Sequence, residues 1–137
     1  MKTSIAFLLV LFAAVTLLAA QATFDYVTAK SDGKSITVEW RTESESGVAN
    51  FAVERAADGV LFSTVSTLEA RGSQTVYRYV DEDALMKGNN DAAGKKYVYR
   101  IKIIGGDNSV TYSNSINVTH NISGIRRTWG MIKEMFR

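Results

Sequence analysis

Tyr97-Val98-Tyr99-Arg100-Ile101-Lys102-Ile103 decides the fold class. Tyr97, Tyr99, Ile101 and Ile103 stand at every second position, and two of the three residues between them are charged. A period of two is the geometry of a strand with one face buried and one in water. The same alternation recurs upstream. Ile36, Val38 and Trp40 share one face of Ser35–Arg41, with Thr37, Glu39 and Arg41 on the other. Phe51 and Val53 repeat it against Ala52 and Glu54.

Between these stretches lie turn signals. Ser31-Asp32-Gly33 closes a first strand over Phe24–Ala29, and Asp58-Gly59 predicts a hairpin. Leu61–Leu68, rich in Ser and Thr, reads as an edge strand. Tyr77 and Tyr79 lead a strand that ends in Asp81-Glu82-Asp83, and a long connection runs from Ala84 to Lys95. Gly105-Gly106-Asp107-Asn108 turns the chain into a last strand marked by Tyr112, Ile116 and Val118. Seven strands, frequent turns and no helical period in this body predict an all-β, immunoglobulin-like sandwich. A short C-terminal amphipathic helix is expected to follow it.

The N-terminus predicts export. Lys2 precedes an apolar run from Ile5 to Ala20, and Ala20-Gln21-Ala22 places small residues where a signal peptidase reads them. The run is shorter than the roughly 20 residues of a membrane span; a retained anchor is the alternative reading. No cysteine follows the run, which excludes a lipoprotein anchor. The expected divisions are a signal peptide over 1–22, a sandwich over 23–120 and a basic tail over 121–137. Mass spectrometry of the exported protein should show Thr23 first; an intact Met1 on a soluble exported form would rule the leader out. Localisation is expected to be secreted, periplasmic or at the cell surface. With no cysteine in the chain the domain must rely on packing rather than disulfides, which fits a bacterial source.

Charge is uneven. Loss of Lys2 would leave 15 Lys+Arg against 14 Asp+Glu. Arg126, Arg127, Lys133 and Arg137 against Glu134 put three positive charges on the tail, so the body is about two negative. Such a body has no electrostatic footprint for nucleic acid.

From Ile36 to Val118 the chain resembles the fibronectin type III-like domains of exported Bacteroidota proteins. The residues that carry the likeness are Val38-Glu39-Trp40, Thr42-Glu43-Ser44-Glu45, Phe51-Ala52-Val53-Glu54-Arg55 and Ala57-Asp58-Gly59-Val60-Leu61-Phe62. Tyr77-Arg78-Tyr79-Val80-Asp81, Tyr97-Val98-Tyr99-Arg100-Ile101 and Tyr112-Ser113-Asn114 complete it. The resemblance implies a spacer, scaffold or adhesive unit, with Asp81 capping the turn after its strand.

Nothing in the pattern points to catalysis, and no cofactor or metal is expected. The single histidine, His120, falls in a polar stretch after the last strand, with no base–nucleophile partner in sequence. Asp81, Glu82 and Asp83 with Asn89, Asn90 and Asp91 lack the spacing of a calcium loop and read as solvated. Glu43 and Glu45 read as solvated loop residues, and Glu54 with Arg100 as a weak surface pair. Trp40, Tyr77, Tyr79, Tyr97 and Tyr99 read as core rather than as a sugar platform. Tyr97 is the candidate for a corner hydrogen bond of the kind such sandwiches carry. The sequons at Asn117 and Asn121 read as chance.

The tail is the feature that the sandwich does not require. At 100° per residue, Ile125, Trp129, Ile132 and Phe136 fall within about 60° of one another. Arg126, Lys133 and Arg137 gather about 80–120° round, and Ser123 is a fair N-cap. A helix of thirteen residues, roughly 20 Å long, with Gly130 inside it, is marginal in water. Its stripe needs a surface: its own sandwich, a groove on a partner protein or a membrane interface. The expectation adopted is a non-enzymatic exported binding or structural module. It docks to an envelope or extracellular protein through Ile125, Arg126, Trp129, Ile132, Lys133, Phe136 and Arg137. A peripheral membrane-surface protein held by the same tail is the alternative.

Overall fold

The computed structural model describes residues 19–57, 59–84 and 95–120. Those residues form two antiparallel sheets with no helix among them. The strands are β1 (Gln21–Ser31), β2 (Ile36–Ser46), β3 (Val48–Ala56), β4 (Ser63–Glu69), β5 (Val76–Asp81), β6 (Lys95–Gly105), β7 (Val110–Tyr112) and β8 (Ile116–His120). The first sheet has the order β1-β2-β5; the second runs β4-β3-β6-β7, with β8 also paired to β6. β4, the strand rich in Ser and Thr, is an edge, as its composition predicts.

The predicted inward stripes meet between the sheets. Ile36, Val38 and Trp40 from the first sheet are fully buried, as are Phe51, Val53, Tyr99 and Ile101 from the second. Trp40 sits opposite Tyr77 in the β2–β5 register and stacks on it, ring centroids 5.2 Å apart and 9° from parallel. Phe51 meets Trp40 edge-on at 6.1 Å, and Phe24 meets Phe51 at 6.3 Å. Aromatic pairs prefer such offset and edge-on arrangements.

Three expectations change in detail. β1 is longer than Phe24–Ala29 and pairs Gln21 with Ser46 and Ala22 with Glu45. A bulge around Phe24 shifts its register, and Asp25 pairs with Arg41 at 2.7 Å. The expected last strand is interrupted, so that eight strands rather than seven stand among the described residues. Ser113 causes the break. Its backbone N–H still donates to the Ile101 carbonyl at 2.8 Å, while its Oγ accepts from the Ile101 N–H at 2.8 Å. A side chain thus replaces a ladder acceptor, a habit of Ser and Asn that competes with strand pairing. His120 also moves: its backbone ends β8, opposite Lys95, rather than following the strand.

The chain crosses from the first sheet to the second at Gly47, whose φ of +65° lies in the left-handed region. That conformation lets a single residue join β2 to β3, at little steric cost for glycine.

Candidate functional site

Three polar clusters stand out among the described residues: inside the sandwich, at one corner of it, and on the outer face of the second sheet.

Inside, Asp81 ends β5 with its side chain fully buried. It forms an ion pair with Arg55 of β3 across the two sheets, and accepts from the Tyr99 hydroxyl at 2.8 Å and the Ala84 N–H at 3.2 Å. Burial, and then the Asp81 carboxylate, push the Tyr99 phenol far above its ordinary range, so it stays protonated and donates. Asp81 caps its turn as the resemblance implied, but it is no solvated loop residue. Glu82 and Asp83 beside it are exposed. Residues 89–91, the other half of the calcium reading, lie outside the described residues.

At the corner, Glu45 lies on β2 rather than in a loop. Its carboxylate accepts from the Tyr77 hydroxyl at 2.7 Å, from Thr42 Oγ1 at 2.8 Å and from the Gly72 N–H at 3.0 Å. The Tyr77 hydroxyl in turn accepts from the Arg71 N–H at 2.7 Å, so the connection between β4 and β5 is tied to the core. Burial raises the Tyr77 phenol above its usual value, and the Glu45 carboxylate adds to the effect. Tyr97 makes the expected kind of bond, donating to the Ala84 carbonyl. Tyr77 ties down a second connection that the alternation alone did not point to.

On the outer face, Glu54 of β3 lies opposite Arg100 of β6. The pair is tighter than a weak surface contact. Glu54 Oε2 accepts from Arg100 Nε at 2.6 Å, and the two side chains are 8% and 25% exposed. The guanidinium is sandwiched, with its carbon 3.9 Å from the Phe62 ring centroid and 4.0 Å from that of Tyr112. A planar, weakly hydrated cation suits this position, and lysine would not replace it. Beside the stack lies an open groove of about 390 Å³, lined by Ala57, Gly59, Phe62, Lys96, Val98, Ser115 and Asn117.

Among the described residues no group of three His, Cys, Asp or Glu side chains is placed to hold a metal ion. The tail residues assigned to docking, Ile125, Arg126, Trp129, Ile132, Lys133, Phe136 and Arg137, lie outside the described residues.

No protein-family model and no curated protein matches the chain. Solved structures do. A β-1,2-glucanase from Parabacteroides distasonis superposes with a TM-score of 0.54 at 17% identity, over 85% of this chain and 15% of that one. Pectate lyase PelI from Erwinia chrysanthemi, solved with tetragalacturonic acid, gives a TM-score of 0.50 at 20% identity, over 72% and 28%. The likeness is one of fold, and this chain spans only a minor share of either enzyme's length.

Proposed function

We propose that the chain is a non-enzymatic exported module of the fibronectin type III-like kind, a scaffold that docks to a cell-envelope partner through residues 121–137. The observation that carries this reading is the use made of two carboxylates. Asp81 and Glu45, two groups that acid–base chemistry would need free, are each bound by three or more donors that hold the sandwich together. The strand order supports the family reading: with β7 and β8 counted as one interrupted strand, three strands face four. The small share of each enzyme that this fold matches also suits a module rather than a whole catalytic unit.

The docking part rests on the tail's apolar stripe, and its test leaves the sandwich alone. Trp129→Ala with Phe136→Ala should abolish envelope association, measured by fractionation of cells expressing the full chain, and leave thermal stability nearly unchanged. Lower stability with unchanged localisation would refute docking and mean that the tail packs on its own domain, since two buried aromatics cost several kcal/mol. Salt separates the peripheral-membrane reading: attachment to anionic lipid weakens as salt screens Arg126, Lys133 and Arg137.

A further inference from the structure

The outer face of the second sheet has features that neither the core nor the tail accounts for. On β6 the outward positions hold Lys96, Arg100 and Lys102. Glu54 binds Arg100 at 2.6 Å and lies 4.0 Å from Lys102, so its single charge is already shared between two cations. Lys96 is exposed, and no carboxylate pairs with it among the described residues. It stands on the groove. This exposed cation sits on a body whose sequence is net negative.

The groove is held open by small residues and held rigid by the stack. Gly59 has a φ of +76°, and a Cβ there would come within 3.4 Å of Val98 Cγ2, so a larger side chain would be strained and would crowd Val98 beside the groove. Phe62 lines the groove while Arg100 covers its ring, and Glu54 and Tyr112 hold Arg100 in turn. A site whose residues are already fixed loses less entropy on binding. The lining thus combines the apolar side chains of Phe62, Val98 and Ala57, a hydroxyl and an amide at Ser115 and Asn117, and a cation at Lys96 that has no ion pair among the described residues.

The geometry points to an acidic sugar, the uronic-acid unit of a polysaccharide, as the ligand of this groove. A pyranose ring has a C–H face that packs on Phe62 and Val98. Its hydroxyls exchange hydrogen bonds with Asn117 and Ser115, which offer both donors and acceptors. Its single carboxylate meets Lys96 in a charge-assisted hydrogen bond. A nucleic acid would want a run of unpaired cations along the groove, and a wholly apolar peptide would leave Lys96, Ser115 and Asn117 unmatched. This site is separate from the tail and goes beyond the docking function.

The test is titration of the full exported chain with tetragalacturonic acid, and with a neutral glucan oligomer of equal length, followed by calorimetry and amide chemical shifts. Tetragalacturonic acid should bind at least about tenfold more tightly than the neutral oligomer, weaken as salt is raised, and shift the amides of Lys96, Val98 and Asn117. Lys96→Ala changes an exposed side chain and should lower the affinity by about fivefold or more at unchanged melting temperature. Gly59→Val should weaken binding by crowding Val98 in the groove lining. Trp129→Ala with Phe136→Ala should bind the acid like the parent chain, so failure of the tail reading leaves this result standing. Equal affinity for the two oligomers, no binding of the acid at millimolar concentration, or full affinity in Lys96→Ala would overturn the proposal.

Discussion

Asp81→Ala is expected to destabilise the protein by about 3–5 kcal/mol, the range for breaking a buried ion pair on one side. The carboxylate is fully buried, and Arg55, its partner, has a side chain only 14% exposed. Without Asp81 the guanidinium has no counter-charge in a region of low dielectric, and the Tyr99 hydroxyl and Ala84 N–H lose their acceptor. The loss is asymmetric. Changing both ends together, Asp81→Leu with Arg55→Met, should recover much of it, because an apolar pair of similar volume carries no desolvation penalty. Urea denaturation of the three proteins reads the difference directly. A loss under about 1 kcal/mol in Asp81→Ala would mean that water reaches the cluster and that the pair is no more than a surface bridge.

The second large effect lies at Trp40. Trp40→Ala should cost about 3–5 kcal/mol, since it removes the largest fully buried side chain and leaves a cavity against Tyr77 and Phe51. Trp40→Phe should cost far less. It keeps an aromatic ring against Tyr77, and it removes an Nε1–H that is buried with no hydrogen-bond partner among the described residues. Such a donor is itself destabilising by about 1–3 kcal/mol, so its loss offsets part of the lost volume. Circular dichroism is the suitable probe, because the substitution removes one of only two tryptophans in the chain. Equal losses in the two variants would show that the indole nitrogen is satisfied in solution.

How far each feature could be read from the chain depends on the range of the interaction behind it. Ile36, Val38, Trp40, Tyr97, Tyr99, Ile101 and Ile103 all lie in the core as their spacing predicts. Consecutive side chains of a strand point to opposite faces, so the pattern is written in the covalent geometry of neighbouring residues. Ser113 is an intermediate case. Its place in Tyr112-Ser113-Asn114-Ser115 hints at a competing side-chain bond, but the partner, Ile101, is twelve positions away.

The charged groups are the opposite case. Asp81-Glu82-Asp83 has the composition of a solvated loop, and nothing local separates Asp81 from its neighbours. Its burial is decided by Arg55, 26 positions upstream, and Tyr99, 18 positions downstream. Glu45 is fixed by Tyr77 at a separation of 32, and Arg100 by Glu54 at 46. The groove beside Phe62 takes its walls from β6 and β8 as well as from the β3–β4 turn.

The sequence by itself determined that the described body is all-β, which residues face inward, and where the chain turns, because alternation and turn chemistry are local. Only the tertiary structure decided which carboxylates are buried and which described cations have an ion pair. A charge's solvation and counter-ion are set by groups that the fold brings together from distant parts of the chain.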